Sequence, residues 1–287
     1  MNSTFFQSRH YYNNILLTPW PFGIGLCLFH VIYSTILFCN KYFFHGDEFT
    51  LWSIFFFAYL IFELILVWCK EVVYESFSGK YTKKIRAALL YGFLLSLVSE
   101  AMLFGCIFRA YFDRIFHLSY VTGFLSVPTT VEIVRWYKEP LYATIVLLAS
   151  GWTCNSAYYF FQLKNTESLI KAYIFSFLTN FLGCAFSCIQ YIEYTHLQFT
   201  ISDTVYCSVF YALTGFHGIH VIVGNLLLYI QFRLKFTYSD NKVQGLGFAV
   251  LYWHFVDIIW IFLFISVYFF NNIDYLSVSE VTTFSTK

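Results

Sequence analysis

Polar side chains able to do chemistry sit in this chain where they are most expensive, inside long apolar runs. His217 and His220 fall within VYCSVFYALTGFHGIHVIVG, three residues apart and therefore on one face of a helix. Such a pair could ligate haem or a metal. A paired-haem bundle needs matching histidines on a second helix. The only comparable residues are His30 and His45, and His45 falls in a loop beside Gly46 and Asp47. No three-histidine spacing suited to a catalytic copper is present, so hydrogen bonding between helices beside Gly215 and Gly218 is the expected role. Glu100 lies well inside LLYGFLLSLVSEAMLFG, where a carboxylate is costly to charge. It could relay a proton or simply hydrogen-bond to a neighbouring helix. Glu63, in AYLIFELILVW, is read as structural. His254 and Asp257 stand at i,i+3 in YWHFVD, where an imidazole donating to a carboxylate lets both be buried. No nucleophile accompanies them, so this pair also reads as structural.

The elements that must hold these groups are membrane helices. Of the 287 residues, 59% are hydrophobic, 24% aromatic and 11% charged, with a mean hydropathy of +0.64. A soluble domain carries about 25% charged residues, so too few polar groups exist here to cover a water-facing surface. Seven runs reach the length of about 20 mostly apolar residues that a span requires: 22–40, 51–69, 87–108, 141–163, 169–192, 204–232 and 246–270. Pro19, Pro21, Pro128 and Pro140 fall between or before them, where a missing N–H costs least. The sixth run is longer than a bilayer needs and is expected to tilt or project. The segment 109–140 is expected to be a loop along the interface.

Net charge is +1 without a basic tail, which excludes nucleic acid as a partner. The eight cysteines form no CxxC pair and read as small packing residues rather than a thiolate metal site. Gly215, Gly218 and Gly224 on the sixth run permit close helix approach, which suits a tight bundle or a subunit face better than an open pore. The opening MNSTFFQSRHYYNN has neither a secretory h-region nor an Arg-rich amphipathic pattern, so insertion without cleavage is expected.

Alternating sides of seven spans sort the basic residues. Arg9, Lys70, Lys80, Lys83, Lys84, Arg86, Lys164, Lys171, Arg233, Lys235 and Lys242 share one side. Lys41, Arg109, Arg114, Arg135, Lys138 and Lys287 share the other. The excess places the N-terminus and the 70–86 loop on the positive-inside face, with the C-terminus opposite.

Four blocks, in order, resemble cytochrome c oxidase subunit III: VWCKEVVYESFSGKYT; LLYGFLLSLVSEAMLFG; EPLYATIVLLASG; and the pair QYIEYTHLQFTISD…TGFHGIHVIVG and YWHFVDIIWIFLFISVY. The likeness runs from Pro19 to about Phe270. It implies an all-α, polytopic membrane protein of seven transmembrane helices in two groups, 1–2 and 3–7, with a lipid-filled cleft. The seven-helix domain would occupy 1–275, with a tail over 276–287. By this resemblance Glu100 matches the family's carbodiimide-reactive intramembrane glutamate. Trp68, Glu75 and Arg233 match residues that meet lipid, and His217, His220, His254 and Asp257 match signature positions used for packing. Tyr74, Lys80, Tyr81, Tyr158 and Tyr159 depart from the family's usual Arg or His. The implied role is a non-redox subunit of the mitochondrial inner-membrane oxidase, which passes electrons from cytochrome c to oxygen and pumps protons. It would hold no metal and no cofactor except bound phospholipids. Haem and copper would reside in partner subunits, above all subunit I. Subunit III of a haem–copper quinol oxidase is the nearest alternative, and a seven-helix transporter or receptor is the alternative of another class.

Overall fold

A computed structural model describes residues 18–42, 48–77, 83–116, 134–163, 165–237 and 244–270. Among these, seven helices and no strands occur: α1 (Trp20–Tyr42), α2 (Glu48–Phe77), α3 (Lys83–Phe116), α4 (Glu139–Gln162), α5 (Thr166–His196), α6 (Val205–Thr237) and α7 (Gln244–Leu263). A π-helical stretch, Phe264–Phe269, continues α7. Six of the seven are long and apolar enough to cross a membrane. The exception is α4, whose 24 residues still extend roughly 36 Å at 1.5 Å per residue.

Local signals explain where the helices begin. Pro140 stands in the first turn of α4, where its missing N–H would be unpaired anyway. The Asn165 N–H donates to Ser168 Oγ at 3.0 Å before α5, and the Cys207 N–H donates to Thr204 Oγ1 at 3.2 Å at the start of α6. These side chains take up donors that a helix N-terminus leaves free.

Several helices outrun the apolar segments that announce them. α2 continues to Phe77, α3 to Phe116 and α6 to Thr237. The expected interfacial loop 109–140 is therefore corrected at both ends, since 109–116 and 139–140 are helical. The reason on α3 is packing: Phe108 and Phe112 lie edge-on to Phe262, while Tyr111 donates to the Ser266 carbonyl at 3.1 Å. The expected tail 276–287 lies outside the described residues.

The chain divides into two compact units, Met1–Tyr91 and Gly92–Lys287. In the first, α1 and α2 pair as a hairpin. Trp20 Nε1 donates to Glu71 Oε2 at 2.6 Å, and His30 stacks on Phe57 with centroids 4.6 Å apart. In the second, α4, α5, α6 and α7 each touch two of the others, closing a ring α4–α5–α6–α7. Trp253 and Trp260 are fully enclosed within it.

Trp253 lies at two close approaches between helices. A Cβ on Gly183 of α5 would meet its ring at 2.9 Å, and one on Gly224 of α6 would meet it at 3.0 Å. Gly224 thus has the packing role expected of it. Within this chain a Cβ on Gly218 would meet nothing within 4 Å, and one on Gly215 only the Tyr194 hydroxyl at 4.0 Å. Those two glycines face away from the contacts within this chain.

Candidate functional site

The polar groups of the larger unit form separate bonded sets, each joining two or more helices. α4 shows why it is the least apolar helix. Ser150 Oγ accepts from Trp253 Nε1 at 3.0 Å, and Thr144 Oγ1 accepts from Trp260 Nε1 at 3.0 Å. Thr153 and Thr179 share a 2.9 Å hydroxyl contact. Its polar residues face the interior of the ring and hold the indoles of α7 and a hydroxyl of α5.

His217 and His220 part company despite their spacing. His217 is buried, with Nε2 3.3 Å from the Val256 carbonyl on α7 and its ring 4.9 Å from that of Trp260. A carbonyl only accepts, so Nε2 carries the proton. His220 turns toward α3. Its Nδ1 lies 2.7 Å from the Phe216 carbonyl and its Nε2 lies 3.1 Å from Glu100 Oε2. Nδ1 must donate to that carbonyl, so a single proton is shared across the Nε2–Oε2 contact. Either the carboxyl holds it and donates to a neutral ring, or the ring is an imidazolium facing a carboxylate. Phe104 and Tyr252 flank the His220 ring. Glu100 is less enclosed than its sequence context suggests, for its side chain is 36% accessible.

His254 and Asp257 do meet, with Nδ1 3.4 Å from Oδ2. The opposite nitrogen of His254 lies 2.8 Å from Asn155 Oδ1 on α4. Asp257 is buried against the α4 backbone, where a Cβ on Gly151 would come within 2.6 Å of its Oδ2. The interhelical function of this pair therefore includes α4, a partner that the i,i+3 spacing alone does not reveal.

The lipid-type residues are distributed as follows. Trp68 on α2 and Arg233 on α6 are exposed, whereas Glu75 on α2 is buried within the chain. Glu63 is half-buried and hydrogen-bonds with Tyr59 one turn away. Cys154 and Cys207 are buried, whereas Cys69, Cys106, Cys184 and Cys188 are exposed on the surface of this chain. Among the described residues, no three His, Cys, Asp or Glu side chains gather as a metal site would require.

One buried acid escaped the sequence reading. Glu193 on α5 is enclosed and accepts the Tyr268 hydroxyl at 2.7 Å. It falls one residue past the expected end of the fifth span, so it reads there as a loop-side charge. The detectable signal was Gln190 three residues earlier, which makes a polar stripe on one helix face.

Comparison with known proteins agrees with this architecture. The family model for cytochrome c oxidase subunit III matches residues 10–272. The cytochrome c oxidase subunit 3 of Schizophyllum commune is 35% identical over 259 residues, covering 89% of this chain and 93% of that protein. Those of Madoqua guentheri and Gazella cuvieri are each 33% identical over 269 residues, covering 93% of this chain and 99% of theirs. With all seven helices inside the matched region and the polar signature residues bonding helix to helix, the chain belongs to the cytochrome c oxidase subunit III family.

Proposed function

We propose that the chain is the non-redox core subunit of the proton-pumping cytochrome c oxidase of the mitochondrial inner membrane. It binds subunit I and supports electron transfer from cytochrome c to oxygen without holding a redox centre. The observation that carries this reading is the family match over nearly the whole chain. The histidine geometry supports it, because His217, His220 and His254 each direct one nitrogen at a carbonyl, a carboxyl or an amide of a neighbouring helix. α4 crosses the membrane as the seventh span, its polar residues satisfied inside the ring. Helices 1–2 and 3–7 form the two groups, with phospholipid in the cleft. The exposed Trp68 and Arg233 meet headgroups, and the buried Glu75 lies on the same helix as Trp68. The N-terminus faces the matrix and the C-terminus the intermembrane space.

The test is an oxygen-consumption time course and a haem spectrum on complex stripped of this subunit, with cytochrome c and quinol compared as donors. An unchanged spectrum, cytochrome c activity at first and decay during turnover are expected. Haem loss in proportion to the chain removed, or activity with quinol alone, would overturn the reading. Exchange of Arg233 for Ala should reduce the phospholipid that co-purifies, measured by mass spectrometry of the extracted lipid.

A further inference from the structure

Glu193 makes only half of the bonds open to it. One carboxyl oxygen accepts from Tyr268, while Oε2 is buried without a hydrogen-bond partner. On the same face of α5, Gln190 is 7% exposed and Glu193 2%. The Gln190 side chain is close enough to the Tyr268 hydroxyl to interact with it, yet neither of its amide atoms makes a well-formed hydrogen bond. Three unsatisfied polar atoms are thus buried on adjacent side chains. Buried polar groups are nearly always paired, and where several lack protein partners together, ordered water commonly supplies the bonds.

A second feature converges on this spot. Tyr268 belongs to the π-helical stretch Phe264–Phe269, a geometry that often marks functional positions within helices. The same stretch presents the Ser266 carbonyl, which accepts from Tyr111 of α3. Next to Glu193 on α5, Tyr194 shares a 2.6 Å contact with Thr214 of α6. The rings of Phe210 and Trp260 pack against Tyr268, at 5.8 and 6.1 Å between centroids. The Tyr268 ring is therefore held between aromatic side chains of α6 and α7.

We propose that Gln190, Glu193 and Tyr268 form an internal water-binding site between α5 and the π-helical end of α7. The water donates one hydrogen to Glu193 Oε2 and accepts from Gln190 Nε2, which satisfies two of the three orphaned atoms and leaves its second hydrogen for Gln190 Oε1. Tyr268 fixes the carboxyl so that Oε2 is directed at the solvent molecule.

The intact complex, imaged by electron cryomicroscopy at a resolution that reveals ordered solvent, tests this. The expected result is a discrete peak within hydrogen-bonding distance of both Glu193 Oε2 and the Gln190 amide. A Gln190 amide bonded directly to Glu193 with no intervening peak would overturn the proposal. So would a lipid chain or a partner side chain filling the space, or a peak whose short contacts to oxygens alone identify a cation. In complex assembled with Gln190→Leu, the peak should be lost; its persistence would remove Gln190 from the site and sink the idea. Should that variant fail to assemble, the wild-type map alone decides.

Discussion

Gly183 and Gly218 look alike in sequence and differ sharply in surroundings. A methyl group at Gly183 would press on the Trp253 ring and on Asn225 at 3.0 Å, and neither is a flexible chain end. Gly183→Ala should cost about 1–3 kcal/mol by overpacking and lower the thermal midpoint of the assembled complex, whereas Gly218→Ala should leave it within error. Equal effects would contradict the packing described. Glu100 invites a chemical probe: a hydrophobic carbodiimide should label it in preference to the enclosed Glu193, because only Glu100 is accessible from the helix surface. Peptide mass spectrometry that found the adduct only at Glu193 or at the exposed Asp113 would count against this. In the loop before α6, Thr200 donates to Asp203 through its N–H at 2.6 Å and its hydroxyl at 2.7 Å. These bonds, the backbone one foremost, hold the carboxyl below its usual range. A lowered value in the folded state favours the loop wherever the unfolded carboxyl would be ionised, and the advantage disappears as acid titrates the folded one. Amide exchange of the 197–204 segment, corrected for intrinsic rates, should accelerate on acidification in the wild type, while Asp203→Ala should already be fast at neutral pH.

α4 carries the clearest energetic test among the elements. Ser150→Ala strands the buried Trp253 N–H and should cost about 1–3 kcal/mol, the penalty of an unsatisfied buried donor. Thr153→Val with Thr179→Val removes both partners of an interhelical bond, and a double-mutant cycle on the complex should give a coupling near 0.6 kcal/mol, the average for such bonds in membranes. Helix number and rough position were legible because runs such as 51–69 and 246–270 have no competing reading. Their ends were not. Lys70, Glu71 and Glu75 look like loop residues, yet they continue α2, where Glu71 takes the Trp20 indole. Partners were equally hidden: spacing places His220 on a helix face, but only the approach of α3 supplies Glu100.

For the whole molecule, the arrangement of basic residues predicts sidedness. Lys70 lies in the C-terminal third of α2, and Lys83, Lys84 and Arg86 stand in the first turn of α3. Protease treatment of mitoplasts should therefore spare the 70–86 segment and cut the tail after 270, and cleavage of the tail only after inner-membrane rupture would reverse the orientation. The family was readable from four sequence blocks, but the closure of α4 through α7 into a ring was not. It depends on Trp253 and Trp260 finding hydroxyls on α4, and nothing in YWHFVDIIW names those acceptors.

The burial of those two indoles also divides the chain's fluorescence. Trp253 and Trp260 are fully enclosed, whereas Trp52 and Trp152 stand mostly outside the fold. Bromine-bearing lipid acyl chains, which quench only on close approach, should extinguish the emission of the outer pair. The residual light should include that of the enclosed pair, and the part of it lost in a Trp253→Phe, Trp260→Phe variant would report the opening of the α4–α7 ring on gentle heating.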